Sequence, residues 1–135
     1  MDEESKVLDV FGQFLMTSLR DQALDFTLRL TQGEWKAPAL SAIQRALVAW
    51  DGEHKELVRH CVALALDDAL HSFLFQLGEQ AEHIQVIVDG KNITACTDYL
   101  HWKWKPFGEE GWVAQYSRFK NAEEIDGAEK NRREF

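Results

Sequence analysis

Two histidines and two aspartates lie in the stretch "HCVALALDDALH", at spacings that could support chemistry on one face of a helix. Asp67 and His71 follow His60 by seven and eleven residues, so the three side chains lie within about 40° of one another around a helix axis. Asp68 is three residues before His71. Imidazole and carboxylate groups so placed can bind a divalent metal ion, or act as a base with its orienting partner.

The same stripe is also typical of structural roles, because a partly buried Asp–His pair often hydrogen-bonds only to its neighbours. Known helical two-His motifs place the histidines four residues apart, not eleven. The sequence contains no phosphate loop, nucleophile elbow, dinucleotide fingerprint or CxxC. A catalytic or ligand-binding role is therefore the second hypothesis. In this hypothesis the protein is a small metal-dependent or acid–base enzyme, or a small-ligand binder, that uses Asp67, Asp68, His71 and His101. The metal ligands would be His60, Asp67 and His71.

A tryptophan-rich segment, "LHWKWKPFGEEGW" at residues 100–112, is the first hypothesis for a site, and it holds three of the five tryptophans. In an extended chain Trp102 and Trp104 would share one side and form a flat platform for a partner. Tryptophan is also enriched where protein interfaces bind most tightly. The predicted binding residues are Trp102, Trp104, Phe107, Glu109, Glu110 and Trp112. The alternative is that these rings close the core, above all Trp112, which precedes Val113.

The charge balance limits the classes of partner that the protein is expected to bind. The formal net charge is −8, and residues 61–100 hold six acidic side chains against one basic. This disfavours nucleic acid, which is bound through clustered lysine and arginine, and favours a basic protein. The N-terminus does not have the pattern of a signal peptide, and we expect no membrane span. The two cysteines do not form a disulfide scaffold. These features predict a cytoplasmic protein.

The elements that must position these residues are mainly helices. The length fits one domain, predicted over residues 1–120, with a polar, flexible tail over 121–135. Apolar residues at helical spacing predict helices from residue 5 to Gly33, as one helix or as two with a break near Thr17–Ser18, and from Pro38 to Gly52. The core-facing residues of the second region are predicted to be Leu40, Ile43, Leu47 and Trp50.

The strongest helix prediction covers residues 53 to about 80. One broad apolar face is predicted, formed by Val58, Val62, Leu66, Ala69, Phe73 and Leu77. Because Leu64 and Leu74 lie on the other side, the pattern predicts a helix buried at the centre of a bundle.

After this helix the hydrophobic period changes to that of a strand. Ile84, Val86 and Val88 alternate before Asp89–Gly90, a hairpin signal, and "NITAC" predicts the return strand. Strand and helix remain alternatives for "GWVAQYSRF", residues 111–119. The predicted fold class is α+β, a helical bundle with a long central helix plus a small antiparallel hairpin beside the tryptophan-rich segment.

A resemblance to known proteins lies in four segments: "DDALHSFLFQL", a strand ending in "VDG", "DYLH" and "GEEGWVAQYSRF". In these segments the chain resembles a group of small, acidic bacterial proteins of unknown function found in mobile or variable gene contexts. The resemblance covers residues 33–119. It implies no activity and no cofactor, so it assigns no catalytic residue. It draws attention to the positions Asp68, His71, Asp98, His101, Gly111 and Trp112.

The leading functional hypothesis is a non-enzymatic protein-interaction module, with an inhibitor or immunity-type role as one version. It predicts no catalytic residue, no metal and no cofactor, and a basic partner bound through the acidic surface and the tryptophan-rich segment. A homo-oligomer formed through an uncovered apolar helix face is a further alternative.

Overall fold

A computed structural model describes residues 3–94 and 111–119 of the chain. Within these residues the fold is mainly helical, with one two-stranded antiparallel hairpin, and so confirms the predicted α+β class. The α-helices are α1 (Glu3–Phe14), α2 (Asp21–Gln32), α3 (Ser41–Val48), α4 (Gly52–Glu79) and α5 (Trp112–Tyr116). The strands are β1 (Ile87–Val88) and β2 (Lys91–Asn92).

The first two helices are joined by a π-helical turn at Leu15–Arg20, and the backbone stays helical from Phe14 through Asp21. The chain from Glu3 to Gln32 is therefore helical throughout, with a π turn where the sequence allowed a break. A π turn holds one more residue than an α turn, which rotates the following side chains around the axis. As a result Arg20 and Asp21 are both buried, while Leu19 is exposed.

Apolar spacing alone did not predict this rotation. Phe14 and Leu19 fit the apolar pattern but are exposed, and the neighbouring Leu15, Met16 and Arg20 are buried. The end of α2 follows the prediction. Gly33 adopts a left-handed backbone with φ 72° and its N–H bonds to the last carbonyls of the helix.

The region after Gly33 corrects two predictions. A 3₁₀ turn at Pro38–Leu40 leads into α3, with Pro38 in its first turn as expected. Gly52 does not end this helix. It is the first residue of α4, whose N-cap is Asp51. The predicted core positions Ile43 and Trp50 are exposed, because the helix turns its Gln44 inward instead.

Gln44 is buried because it makes a two-point clamp on Trp35. The side-chain oxygen of Gln44 accepts from the Trp35 N–H at 2.8 Å, and its amide nitrogen donates to the Trp35 carbonyl at 2.8 Å. These two hydrogen bonds satisfy both the backbone groups of Trp35 and the polar atoms of the Gln44 amide, as burial requires.

Helix α4 has the predicted extent, yet its buried face is different. The buried positions are Arg59, Ala63, Leu70, Leu74 and Leu77. Of the predicted face only Leu77 is fully buried, and Ala69 and Phe73 are exposed. The apolar pattern could not identify the buried face, because apolar residues occur on most sides of the helix. Its inner face is instead the one that carries Arg59, which periodicity assigns to solvent.

Strand β1 is shorter than predicted, and Ala95 and Cys96 of the predicted return strand lie outside the described residues. Ile87 pairs with Asn92 and Val88 with Lys91. Asp89 and Gly90 have φ 50° and 79°, the backbone that the Asp–Gly signal predicts for a two-residue turn. One further bond joins the Ile93 N–H to the Val86 carbonyl at 3.0 Å. Residues 112–116 are helical, which decides between the alternatives for that stretch.

The described core has two parts. The larger joins α1 and the π turn to the second half of α4, to Ile93 and to α5, and its centre holds Met16, Leu70 and Trp112. The smaller joins α2 to the first half of α4 through Leu24, Leu28, Ala63 and Phe119. Leu66 packs against both. One side of α4 is thus occupied along its length.

Candidate protein-binding surface

The residues of the predicted chemical stripe lie on one side of α4 but differ in burial and in partners. Asp67 is half-buried and faces Arg20, whereas His60, Asp68 and His71 are exposed. No group of three or more metal-ligating side chains occurs among residues 3–94 and 111–119. Asp67 is therefore held by an arginine, and the structure supplies no additional ligand that would gather the two histidines around it.

Arg20 is 2% exposed and organises a buried polar network. Its Nε donates to Asp67 Oδ1 at 2.7 Å and its Nη2 to Asp67 Oδ2 at 3.4 Å. Its Nη1 donates to Ser117 Oγ at 2.8 Å and to the Phe119 carbonyl. A buried guanidinium needs such partners, since an uncompensated buried charge is costly. Arg20 thus links α4 to the chain after α5.

Asp21 completes the same network. Ser117 Oγ donates to Asp21 Oδ1 at 2.5 Å, and the Arg118 N–H donates to Asp21 Oδ2 at 2.9 Å. The π turn makes this possible by directing two consecutive residues inward. We infer a structural role for Asp67, because its carboxylate is engaged by a cation that also fixes the end of the described chain.

The tryptophan-rich segment is described only at its last two residues, Gly111 and Trp112. Trp102, Trp104, Phe107, Glu109 and Glu110, together with His101, lie outside the described residues, and their predicted roles stay predictions. Trp112 is 2% exposed and meets the Phe11 ring edge-on, with ring centroids 6.4 Å apart. Trp112 is therefore a core residue, which was one of the two alternatives for it.

The close fit of Trp112 depends on Gly12. A Cβ placed on Gly12 would lie 2.3 Å from atoms of the indole ring. Glycine on α1 therefore admits the ring against the helix backbone. Gly12 is therefore required by the packing of Trp112, although glycine weakens a helix.

An exposed apolar surface in the described residues lies on the outer side of α4. We call outer seam six exposed residues on a side of α4 about 135° around the helix from its buried positions: Leu57, Cys61, Leu64, Asp68, His71 and Phe75. Leu57 is 62% exposed, Leu64 60% and Phe75 48%. Large apolar side chains aligned on one helix face are unlike the scattered exposed leucines of ordinary surfaces, and mark interaction sites.

The spacing along the outer seam alternates between four and three residues. This is the a/d repeat by which two helices pack side by side. The sequence contained this signal, but the apolar residues on the other faces of α4 concealed it. Of the predicted site residues, the structure places Asp68 and His71 at the middle of the seam.

The start of α4 is fixed by Asp51 and His54. Asp51 Oδ1 accepts from the His54 N–H at 2.9 Å and contacts His54 Nδ1 at 2.7 Å. These hydrogen bonds from His54 lower the pKa of Asp51, and the side-chain hydrogen bond to Asp51 raises the pKa of His54. His54 lies seven residues before Cys61, so it continues the line of the outer seam.

A second surface feature lies beside α3. A shallow groove of about 660 Å³ is lined by Gly33, Ser41, Gln44, Arg45, Val48 and Ala49. Its buried amide, Gln44, is already bonded on both sides to Trp35. The polar side chains that the groove presents besides Gln44 are the exposed Ser41 and Arg45.

Comparison with protein-family models, with curated proteins and with solved structures gives no match. The surface must therefore be interpreted from its own chemistry.

Proposed function

We propose that this protein is a non-enzymatic protein-interaction module that binds another protein chain through the outer seam of α4. The observation that carries the proposal is the alignment of Leu57, Leu64 and Phe75 on one exposed side of a 28-residue helix. Burying such side chains is favourable by about 1.5–3 kcal/mol for a complete leucine or phenylalanine. A partner's helix is the element that fits a seam with this spacing.

The arrangement of the polar groups supports binding rather than catalysis. The carboxylate nearest to the candidate histidines, Asp67, is bonded to Arg20. Asp68 and His71 are exposed on the helix surface, where water competes for them. The alternative of a small enzyme or ligand binder that adds His101 stays a prediction without support from the described residues.

A lipid bilayer is the other apolar environment to consider. By length and composition, α4 is the one helix within residues 3–94 and 111–119 that could cross a membrane, and core helices often pass the same test. Two features favour a protein partner. Asp67 and Asp68 lie mid-helix, where hydrocarbon strongly disfavours charge. The inner side of α4 is also bonded to Arg20 and Thr31.

The tryptophan-rich segment and the acidic excess belong to the same proposal as a second contact region. Trp102 and Trp104 would supply aromatic surface, and the −8 charge would favour a partner with basic groups at the rim. An inhibitor or immunity-type role is one version of such a module, and a cytoplasmic location remains our prediction from the sequence.

A site-specific photocrosslinker at position 64, introduced into cells that naturally express the chain, tests the proposal. We expect a defined protein adduct from position 64. A crosslinker at Gln76, exposed on the same helix about 120° away, is the matched control and should give none. The adduct should disappear when Leu57→Glu is added. Equal labelling from both positions, or none from position 64, would contradict the proposal.

A further inference from the structure

We propose that the partner of the outer seam is the same seam of a second copy of this chain, packed antiparallel with Asp68 opposite His71 of the second copy. This inference rests on the proposed function and names as the partner of the seam an acidic chain, in place of a basic protein. The resulting contact is two-fold symmetric, so the Asp68–His71 pair occurs twice.

The seam is self-complementary in shape. Its residues alternate by four and three along the helix, so two such helices can place side chains of one copy between those of the other. The exposed Ala65 and Ser72 flank the seam on one side. Their small side chains allow two α4 backbones to approach closely. A two-fold axis through the seam would bring Ala65 beside Ser72 of the second copy.

The polar pair selects the register. In one antiparallel register Asp68 faces His71 of the second copy, and Leu64 faces Phe75. In a neighbouring register, shifted by seven residues, Asp68 faces Leu64 of the second copy and Phe75 faces Leu57. That second register places a carboxylate against an apolar side chain without a partner, which is unfavourable. A polar residue within an apolar seam is a known way of fixing register and orientation.

The charge of the seam also favours a second copy over a basic partner. From residue 57 to residue 75, the seam and its two small flanking residues carry only one acid, Asp68, and one titratable base, His71. The seam is thus close to neutral, and its two polar groups are complementary to each other. The net charge of −8 lies elsewhere and makes two copies repel at long range.

Paired cysteines test the register directly. In a background with Cys61 and Cys96 replaced by serine, Leu64→Cys/Phe75→Cys should form a covalent dimer under mild oxidation. Within one chain the two positions are eleven residues apart, about 16 Å along the helix, which is too far for an intrachain disulfide. Leu57→Cys/Phe75→Cys is the matched control for the other register and should crosslink much less.

A charge exchange provides an independent test by sedimentation equilibrium of the full chain. Asp68→Lys should weaken dimerisation by about tenfold or more, because the carboxylate that faces His71 of the second copy is then lost twice and a lysine ammonium is left without a partner at each site. Asp68→Lys/His71→Asp should restore it. Raising the salt concentration should strengthen the wild-type dimer, because salt screens the repulsion between the two acidic copies.

The outcomes separate the two proposals. A dimer crosslinked through positions 64 and 75, together with rescue by the charge exchange, supports the second copy. A chain that is monomeric at all concentrations, but whose position 64 crosslinks to a different protein, overturns the second copy and leaves the interaction module standing. A dimer crosslinked through positions 57 and 75 overturns the proposed register.

Discussion

Asp67 and Asp68 are adjacent in the sequence, yet the structure predicts a large loss of stability on substitution of Asp67 and almost none on substitution of Asp68. Asp67→Asn removes the charge that faces the buried Arg20, while the neighbouring Asp68→Asn changes an exposed side chain. Both variants keep the shape of the side chain and an oxygen that can accept a hydrogen bond. The comparison therefore isolates the effect of the charge at each position.

The expected loss of stability in Asp67→Asn follows from the burial of Arg20 and Asp67. Arg20 is 2% exposed and the Asp67 side chain 25%. Breaking a fully buried pair costs about 3–5 kcal/mol, and an exposed pair contributes about 0.2–1 kcal/mol. With Asp67 partly solvated, and with Ser117 and the Phe119 carbonyl still bonded to Arg20, we expect Asp67→Asn to lower the free energy of unfolding by about 2 kcal/mol. At protein concentrations where the chain is monomeric, Asp68→Asn should change it by less than about 0.5 kcal/mol.

Urea unfolding followed by circular dichroism measures both effects. With an m-value of about 1.5–2 kcal/mol per molar urea for a chain of this size, Asp67→Asn should lower the midpoint by about 1 M, and Asp68→Asn by less than about 0.3 M. In a double-mutant cycle, Arg20→Met should couple to Asp67→Asn by about 0.5–3 kcal/mol and be additive with Asp68→Asn. Equal midpoints for the two aspartate variants, or a larger loss for Asp68→Asn, would refute the assignment of Asp67 to Arg20.

Two smaller perturbations test the packing at Gly12 and the start of α4. Gly12→Ala should destabilise the chain by about 1–3 kcal/mol because its Cβ overlaps the Trp112 ring, although alanine normally favours a helix. Gly52→Ala, where no atom lies within 4 Å of the new Cβ, should not destabilise, and a similar loss at both glycines in thermal unfolding would contradict the fit. In a proton NMR titration the pKa of His54 should be above its ordinary value and fall in Asp51→Asn. The stabilisation from this contact is present below the pKa of His54 in the unfolded chain, and is lost as the pH rises through the raised value in the folded chain.

Local signals in the sequence predicted the elements well. Gly33 ends α2, Pro38 starts a helical turn, and Asp89–Gly90 closes the hairpin. Each of these depends on the backbone preferences of one or two residues, so the surrounding fold does not change them. The extent of α4 was also predictable, because a long apolar segment without proline has few other conformations.

The direction of the side chains was harder to predict, for two physical reasons. The π turn at Leu15–Arg20 adds a residue to one helical turn, so the α-helical period fails beyond it. Buried arginines give the second reason. Arg20 and Arg59 lie inside because acceptors from distant parts of the chain meet them, such as Asp67 and Thr31. Periodicity assigns arginine to solvent and so selected the wrong face of α4.

The outer seam could be identified only after the inner face of α4 was known. Apolar residues on several sides made every face of the helix a candidate for the core. The predicted stripe of His60, Asp67 and His71 also came from a helical wheel. A wheel shows which side chains share a face, but it does not show that Arg20 engages Asp67. The seam's own polar members, Asp68 and His71, were therefore selected for a chemical reason that the structure does not support.

The most direct test of the outer seam is the alkylation rate of Cys61 in a Cys96→Ser chain, measured over a range of protein concentrations. At low concentration we predict that the folded chain reacts about as fast as the urea-unfolded chain, because Cys61 is exposed. The rate should fall as the concentration rises and copies associate, while Leu64→Glu should stay fast throughout. A Cys61 that is protected at the lowest concentration would show that the seam is covered within one chain, and would contradict the account.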